Sequence, residues 1–124
     1  MKHSVMVVDD SRVVYAGMQK MLSDSEFEIC SFCRSGEECL EKYGDVQPEL
    51  VTMDIVMPEM DGMEACRQLL ERWPDARVLM VSSLAYDDTI KSSQTLGAKG
   101  FLFKPFDKEA LLRELRSVVA AQAD

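Results

Sequence analysis

Histidine is almost missing from this chain of 124 residues; the single copy is His3. It lies ahead of the first apolar run and away from every acidic cluster described below. Long hydrophobic stretches are missing too, and none approaches the roughly 20 apolar residues that a membrane-spanning helix needs. The N-terminal run Val5–Val8 is short and ends at the paired acids Asp9-Asp10, which argues against a secretory leader and for a cytoplasmic protein. Bases are outnumbered: 14 Lys and Arg against 22 Asp and Glu leave a net charge of −8. Nucleic acid phosphates and anionic lipid would both be repelled, so neither direct nucleic acid binding nor membrane insertion is expected. Cysteine is limited to Cys30, Cys33, Cys39 and Cys66. Cys30 and Cys33 have C-x-x-C spacing, but they fall in a strand-like run whose i and i+3 side chains face opposite sides. Small buried thiols are the expected state. Repeats, low-complexity tracts and linkers are all lacking, and the length fits a single domain over residues 1–124.

What is present is a regular alternation. Val5–Val8, Phe27–Cys33, Leu50–Met53, Val78–Val81 and Phe101–Phe103 read as strands, the continuous apolar ones as strands buried on both faces. Between them lie helical periods. Val14, Met18, Met21 and Leu22 mark the first. Ser35 with Glu38 opens the second as a capping box, and Tyr43-Gly44 closes it. Cys66, Leu69, Leu70 and Trp73 mark the third, which Pro74 ends. The fourth, about Tyr86–Leu96, is weak, with Ile90 and Leu96 its only large aliphatics. Asp107 caps the fifth, whose inner face is Leu111, Leu115, Val118 and Val119. Five strands alternating with five helices imply an α/β fold with a parallel sheet covered on both faces. In such sheets, sites form outside the carboxyl ends of the strands.

Those ends carry Asp9 and Asp10, then Asp54, then Ser82, then Lys104. Three carboxylates in one crevice repel one another, and a hard cation such as Mg²⁺ resolves the conflict. Lys104 brings a second positive charge and Ser82 a hydroxyl. Together they can cradle a phosphoryl group, with a central carboxylate as nucleophile. Taken singly, each residue also has a plainer reading: Asp9-Asp10 as a helix cap, Asp54 as a turn residue, Lys104-Pro105 as a surface loop.

The segments Val7-Val8-Asp9-Asp10-Ser11, Met53-Asp54-Ile55-Val56-Met57-Pro58-Glu59-Met60-Asp61-Gly62, Val81-Ser82-Ser83 and Phe103-Lys104-Pro105-Phe106 resemble the motifs of response-regulator receiver domains. The resemblance covers essentially the whole chain and is nearest to stand-alone chemotaxis-type regulators. It implies a flavodoxin-like doubly wound sheet with strand order 2-1-3-4-5. It implies a phosphorylation-activated switch, not an enzyme with turnover, that takes a phosphoryl group from a partner histidine kinase. Asp54 would be the phosphoacceptor. Asp10, Asp54 and the main-chain carbonyl of Val56 would hold Mg²⁺, with Asp9 on a metal-bound water. Ser82 and Lys104 would contact the phosphoryl oxygens, and Phe101 would be the switch aromatic, although it also reads as a core strand residue. The Lys104–Pro105 bond would be cis. A downstream protein target would dock on the fourth helix, fifth strand and fifth helix. His3 is badly placed for a relay within the chain, so the donor would be a separate protein or a small acyl phosphate.

Rival readings remain. A Mg²⁺-dependent phosphohydrolase of the haloacid-dehalogenase type places a second Asp two residues after its nucleophile; here that position is Val56. A flavodoxin would follow its first strand with a Ser/Thr/Gly phosphate loop, where this chain has Asp9-Asp10. The chain can also be read as the receiver segment of a longer regulator. Three positions depart from the commonest family pattern: Ser82 stands where Thr is frequent, and Val56 and Leu84 stand where some members carry polar side chains.

Overall fold

The computed structural model describes residues 2–84 and 86–121. Ten elements alternate along the chain: β1 (His3–Val8), α1 (Arg12–Leu22), β2 (Phe27–Cys33), α2 (Gly36–Val46), β3 (Leu50–Asp54), α3 (Gly62–Arg72), β4 (Val78–Ser82), α4 (Asp87–Leu96), β5 (Gly100–Phe103) and α5 (Lys108–Ala120). The strands form one parallel sheet in the order β2-β1-β3-β4-β5. This is the flavodoxin-like doubly wound order, and it puts the β1 and β3 ends side by side, where the winding reverses.

Strand alternation sends side chains to two separate cores. Met6, Val8, Val51, Met53, Val78 and Met80 face the α2–α3 side, where Cys39, Ala65, Cys66 and Leu69 meet them. Val5, Val7, Leu50, Leu79 and Val81 face the α1–α5 side, against Met18, Leu22, Leu111, Leu115 and Val118. Every residue of β3 and β4 is buried, as expected for central strands covered on both faces.

Four helices start on a side chain that accepts the backbone N–H three residues on: Ser11, Ser35, Asp61 and Asp107. α4 differs. Tyr86 precedes it without a side-chain cap, and Ser93 is its one buried residue. The weak apolar pattern of that segment is thus matched by weak anchoring.

α2 runs past the Tyr43-Gly44 stop to Val46 and closes on Gln47 in the left-handed region, φ 48°. Gly44 does not end the helix. A Cβ there would lie 3.2 Å from the Trp73 ring, so the glycine serves close packing instead. Cys33, Cys39 and Cys66 are buried, Cys30 is exposed, and all four are free thiols. Burial pushes the Cys39 and Cys66 thiols up to about 12, which leaves them protonated and inert. Among the described residues, no helix is long and apolar enough to cross a membrane.

Candidate functional site

The site lies at the carboxyl end of the sheet, over β1, β3 and β5. β1 runs directly into Asp9, which is 1% exposed, and Asp10, which is open to solvent. Asp9 Oδ1 accepts the Ser11 N–H at 2.9 Å, so the same turn that caps α1 also orients this carboxylate. Asp54 is the last residue of β3 and is 5% exposed. One carboxylate oxygen from each of Asp9, Asp10 and Asp54 lies within 4.8 Å of the others.

Lys104 reaches into this cluster. Its Nζ stands 2.9 Å from Asp9 Oδ2 and 3.3 Å from Asp54 Oδ1. Burial works against the ammonium, yet its bonds to the two carboxylates prevail and hold its pKa above the usual lysine value. For Asp54 the balance goes the other way. Burial, reinforced by the Asp9 charge and only partly offset by Lys104, pushes its pKa up to about 6. One ammonium does not neutralise three carboxylates. An all-oxygen donor set with surplus negative charge and one open carboxylate fits a hard divalent cation such as Mg²⁺.

Ser82 ends β4, fully buried. Its Oγ accepts the Leu84 N–H at 2.9 Å, and its carbonyl accepts the Lys104 N–H at 2.9 Å. The second bond ties the hydroxyl strand to the lysine strand. Among the described residues nothing accepts the Ser82 hydroxyl hydrogen, which an incoming oxyanion would take. The Lys104–Pro105 peptide bond is cis. Val56 lies in the loop after β3, with its side chain 56% exposed. Phe101, on β5, is half-buried against the α2–α3 core, its ring 5.2 Å from that of the exposed Phe103. His3 does not precede the first strand but opens β1, at the other end of the sheet, where it pairs with Glu49 at 2.7 Å.

Sequence reasoning passed over Gly62. A Cβ at this position would fall 2.0 Å from the Asp54 carbonyl oxygen, and the Gly62 N–H donates to the Ile55 carbonyl at 2.7 Å. The start of α3 is therefore pressed onto the backbone of Asp54. The clue was present as Asp61-Gly62, a helix cap followed by the smallest residue, but sequence does not show what the glycine touches.

The chain matches the response regulator receiver domain family over residues 5–116. It is a member of that family. Receiver domains are the switch modules of two-component signalling, and phosphoryl acceptance at an Mg²⁺-binding acidic pocket is their general property. The chemotaxis protein CheY of Listeria monocytogenes is 36% identical over 111 residues, covering 90% of this chain and 93% of the relative. CheY of Treponema pallidum is 36% identical over 119 residues, covering 94% and 83%. In a crystal structure of a CheX–CheY–BeF₃–Mg²⁺ complex from Borrelia burgdorferi, the matching chain superposes with a TM-score of 0.91 at 32% identity, covering 96% of this receiver domain and 90% of its counterpart.

Proposed function

We propose that this receiver domain is switched by phosphorylation of Asp54, with a separate histidine kinase as the donor. The observation that carries the reading is the contact of Lys104 with both Asp9 and Asp54 inside a cluster of three carboxylates. Asp54 is nearly buried, at the end of a central strand, and held from behind by Gly62. An Asp54 oxygen attacks phosphorus while the bond to the donor imidazole nitrogen breaks. That nitrogen keeps the electron pair and takes up a proton, and the product is an acyl phosphate. Asp9, Asp10, Asp54 and the Val56 carbonyl would hold Mg²⁺, which when bound neutralises charge on the phosphoryl oxygens. Lys104 gives up part of its hold on Asp54 to meet a phosphoryl oxygen, and the Ser82 hydroxyl donates to another.

The output half of the switch runs from Ser82 through the loop beyond it to α4 and Phe101. α4, β5 and α5 then form the surface for a downstream protein. Support comes from the poor anchoring of α4 and from the exposed Tyr86 and Phe103 on either side of it. The phosphohydrolase reading is disfavoured by the exposed, apolar Val56, which cannot carry a proton to a leaving group.

Labelling with acetyl phosphate and Mg²⁺, followed by peptide mass spectrometry, tests this directly. One phosphoryl group on Asp54, absent with EDTA and absent in Asp54→Asn, is the expected result. Labelling elsewhere, labelling without metal, or steady turnover of a phosphate ester overturns it.

A further inference from the structure

A pocket of about 320 Å³ opens between the C-terminal ends of α2 and α3, at the amino ends of β3 and β4 and so at the opposite end of the sheet from Asp54. Its volume is at the small end of the range for ligand pockets. Tyr43 and Trp73 line it, half-buried, with ring centroids 4.8 Å apart. The ring pair depends on Gly44, where a Cβ would already lie 3.2 Å from Trp73. Pro48 and Pro74 complete the apolar lining, and their fixed φ stiffens the two loops that border the pocket.

Three charge features meet at this pocket. Arg72 lays its guanidinium over the Trp73 ring, 4.7 Å from the centroid. Stacking fixes the plane of the guanidinium and leaves its N–H edge open, and among the described residues it forms no ion pair. Asp75, on the same rim, is exposed and likewise without an ion pair among the described residues. α2 ends here with Asp45 and no base in its last turn, so nothing offsets the negative end of its dipole.

We infer that this pocket binds a free amino acid with an apolar side chain, its carboxylate on Arg72 and its ammonium on Asp75 beside the C-terminal end of α2. The rings and the prolines take the side chain. Charge complementarity selects a zwitterion over simpler occupants. A wholly apolar molecule would cover Arg72 and Asp75 and give neither a partner. An anion alone would meet Arg72 but face Asp75, Asp45 and the α2 dipole end. A cation alone would meet Asp75 but abut Arg72. A guanidinium held flat on an aromatic face is preorganised to take both oxygens of a carboxylate. The inference is independent of the phosphorylation of Asp54, because Asp54 and Ser82 stand at the carboxyl ends of the strands whose amino ends border this pocket.

Trp73 is the only tryptophan in the chain, so its emission reports on this pocket alone. The probes are L-leucine and L-phenylalanine. Two analogues of leucine accompany them: 4-methylpentanoate, which lacks the ammonium, and 3-methylbutylamine, which lacks the carboxylate. Fluorescence titration of the full chain should saturate with at least one amino acid at a Kd of about 1 mM or below, and calorimetry should give the same value. Each half-ligand should bind at least about tenfold more weakly than leucine. Arg72→Gln and Asp75→Asn should each weaken amino acid binding about tenfold or more, since each removes a charge-assisted hydrogen bond. Both side chains are exposed, so the thermal midpoints and acetyl phosphate labelling of Asp54 should match wild type. The inference is overturned if neither amino acid saturates by about 10 mM in either measurement. It is overturned equally if a half-ligand binds as tightly as leucine, or if either variant keeps affinity within twofold of wild type. The half-ligands decide on the wild-type chain, whatever the substitutions do to folding.

Discussion

Lys104 Nζ meets Asp9 Oδ2 at 2.9 Å although the strands that precede them, β5 and β1, are separated in the sheet by β3 and β4. At about 4.8 Å per strand the two lie roughly 14 Å apart in the sheet plane, so the contact exists only because both chain segments turn inward over the strand ends. On the way the ammonium also reaches Asp54. One cation thus holds the two buried carboxylates in one place.

Replacing Lys104 with Met keeps the aliphatic stem and removes the charge. Asp9 and Asp54 are then left buried without a cation. In EDTA at pH 7 the variant should lose about 2–4 kcal/mol of stability, since breaking a buried pair costs more than the pair contributes. Urea denaturation reads this out. An unchanged midpoint would show that the ammonium serves chemistry alone.

Asp54 makes stability depend on pH in an unusual direction. Its folded pKa is about 6 against an ordinary 3.8, so the native state binds a proton more readily than the unfolded chain does. Its contribution is fully present below pH 3.8 and is lost as pH rises through about 6. In EDTA, Asp54→Asn should therefore be more stable than wild type at pH 7 by about 2–3 kcal/mol, and the gap should close by about pH 4. Paired melts across that range measure it. A gap that is constant with pH would show that the carboxylate is not under pressure.

Gly62→Ala tests how firmly α3 backs the phosphoacceptor. With its Cβ 2.0 Å from the Asp54 carbonyl oxygen, the alanine must push the β3–α3 loop away. A stability loss of about 2–4 kcal/mol and slower acetyl phosphate labelling are expected. A variant that melts and labels like wild type would show that the loop yields without effect on Asp54.

Phosphate lifetime should depend on Val56 and Leu84. Both follow site residues closely, and the Leu84 N–H is bonded to Ser82 Oγ. Neither side chain can hold a water in line for attack on phosphorus. The double variant Val56→Asn, Leu84→Glu should lose phosphate several-fold faster at saturating Mg²⁺. Equal decay rates would place control of lifetime elsewhere.

α4 should open more easily than the other helices. It lacks a side-chain cap and buries only Ser93. Amide exchange should be fastest there among the helices, and activation with beryllofluoride should change protection across Ser82–Phe101. Changes confined to α1 and α2 would contradict the proposed output path.

Much of this was legible in the chain. Strands buried on both faces are uninterrupted apolar runs, and caps such as Ser35 with Glu38 and Asp107 are local, so the alternating elements and the strand ends carrying Asp9, Asp10, Asp54, Ser82 and Lys104 could be read by period and spacing. Motif order then pointed to the family and, through it, to the strand order. Three things depended on the fold. Gly44 looks like a helix stop, but its neighbour is Trp73, which is distant in sequence. Gly62 looks like the residue after a cap, but its neighbour is the Asp54 carbonyl. Gly17 looks like an ordinary weak point in a helix, and only the absence of any atom near its Cβ position shows that it borders a groove. A glycine has no side chain whose chemistry can be read, so its purpose lies in what approaches it. The charge balance at Asp54 is of the same kind: a carboxylate beside Asp9, Asp10 and Lys104 is expected from sequence, but how far burial outweighs the ammonium is set by distances that only the folded chain defines.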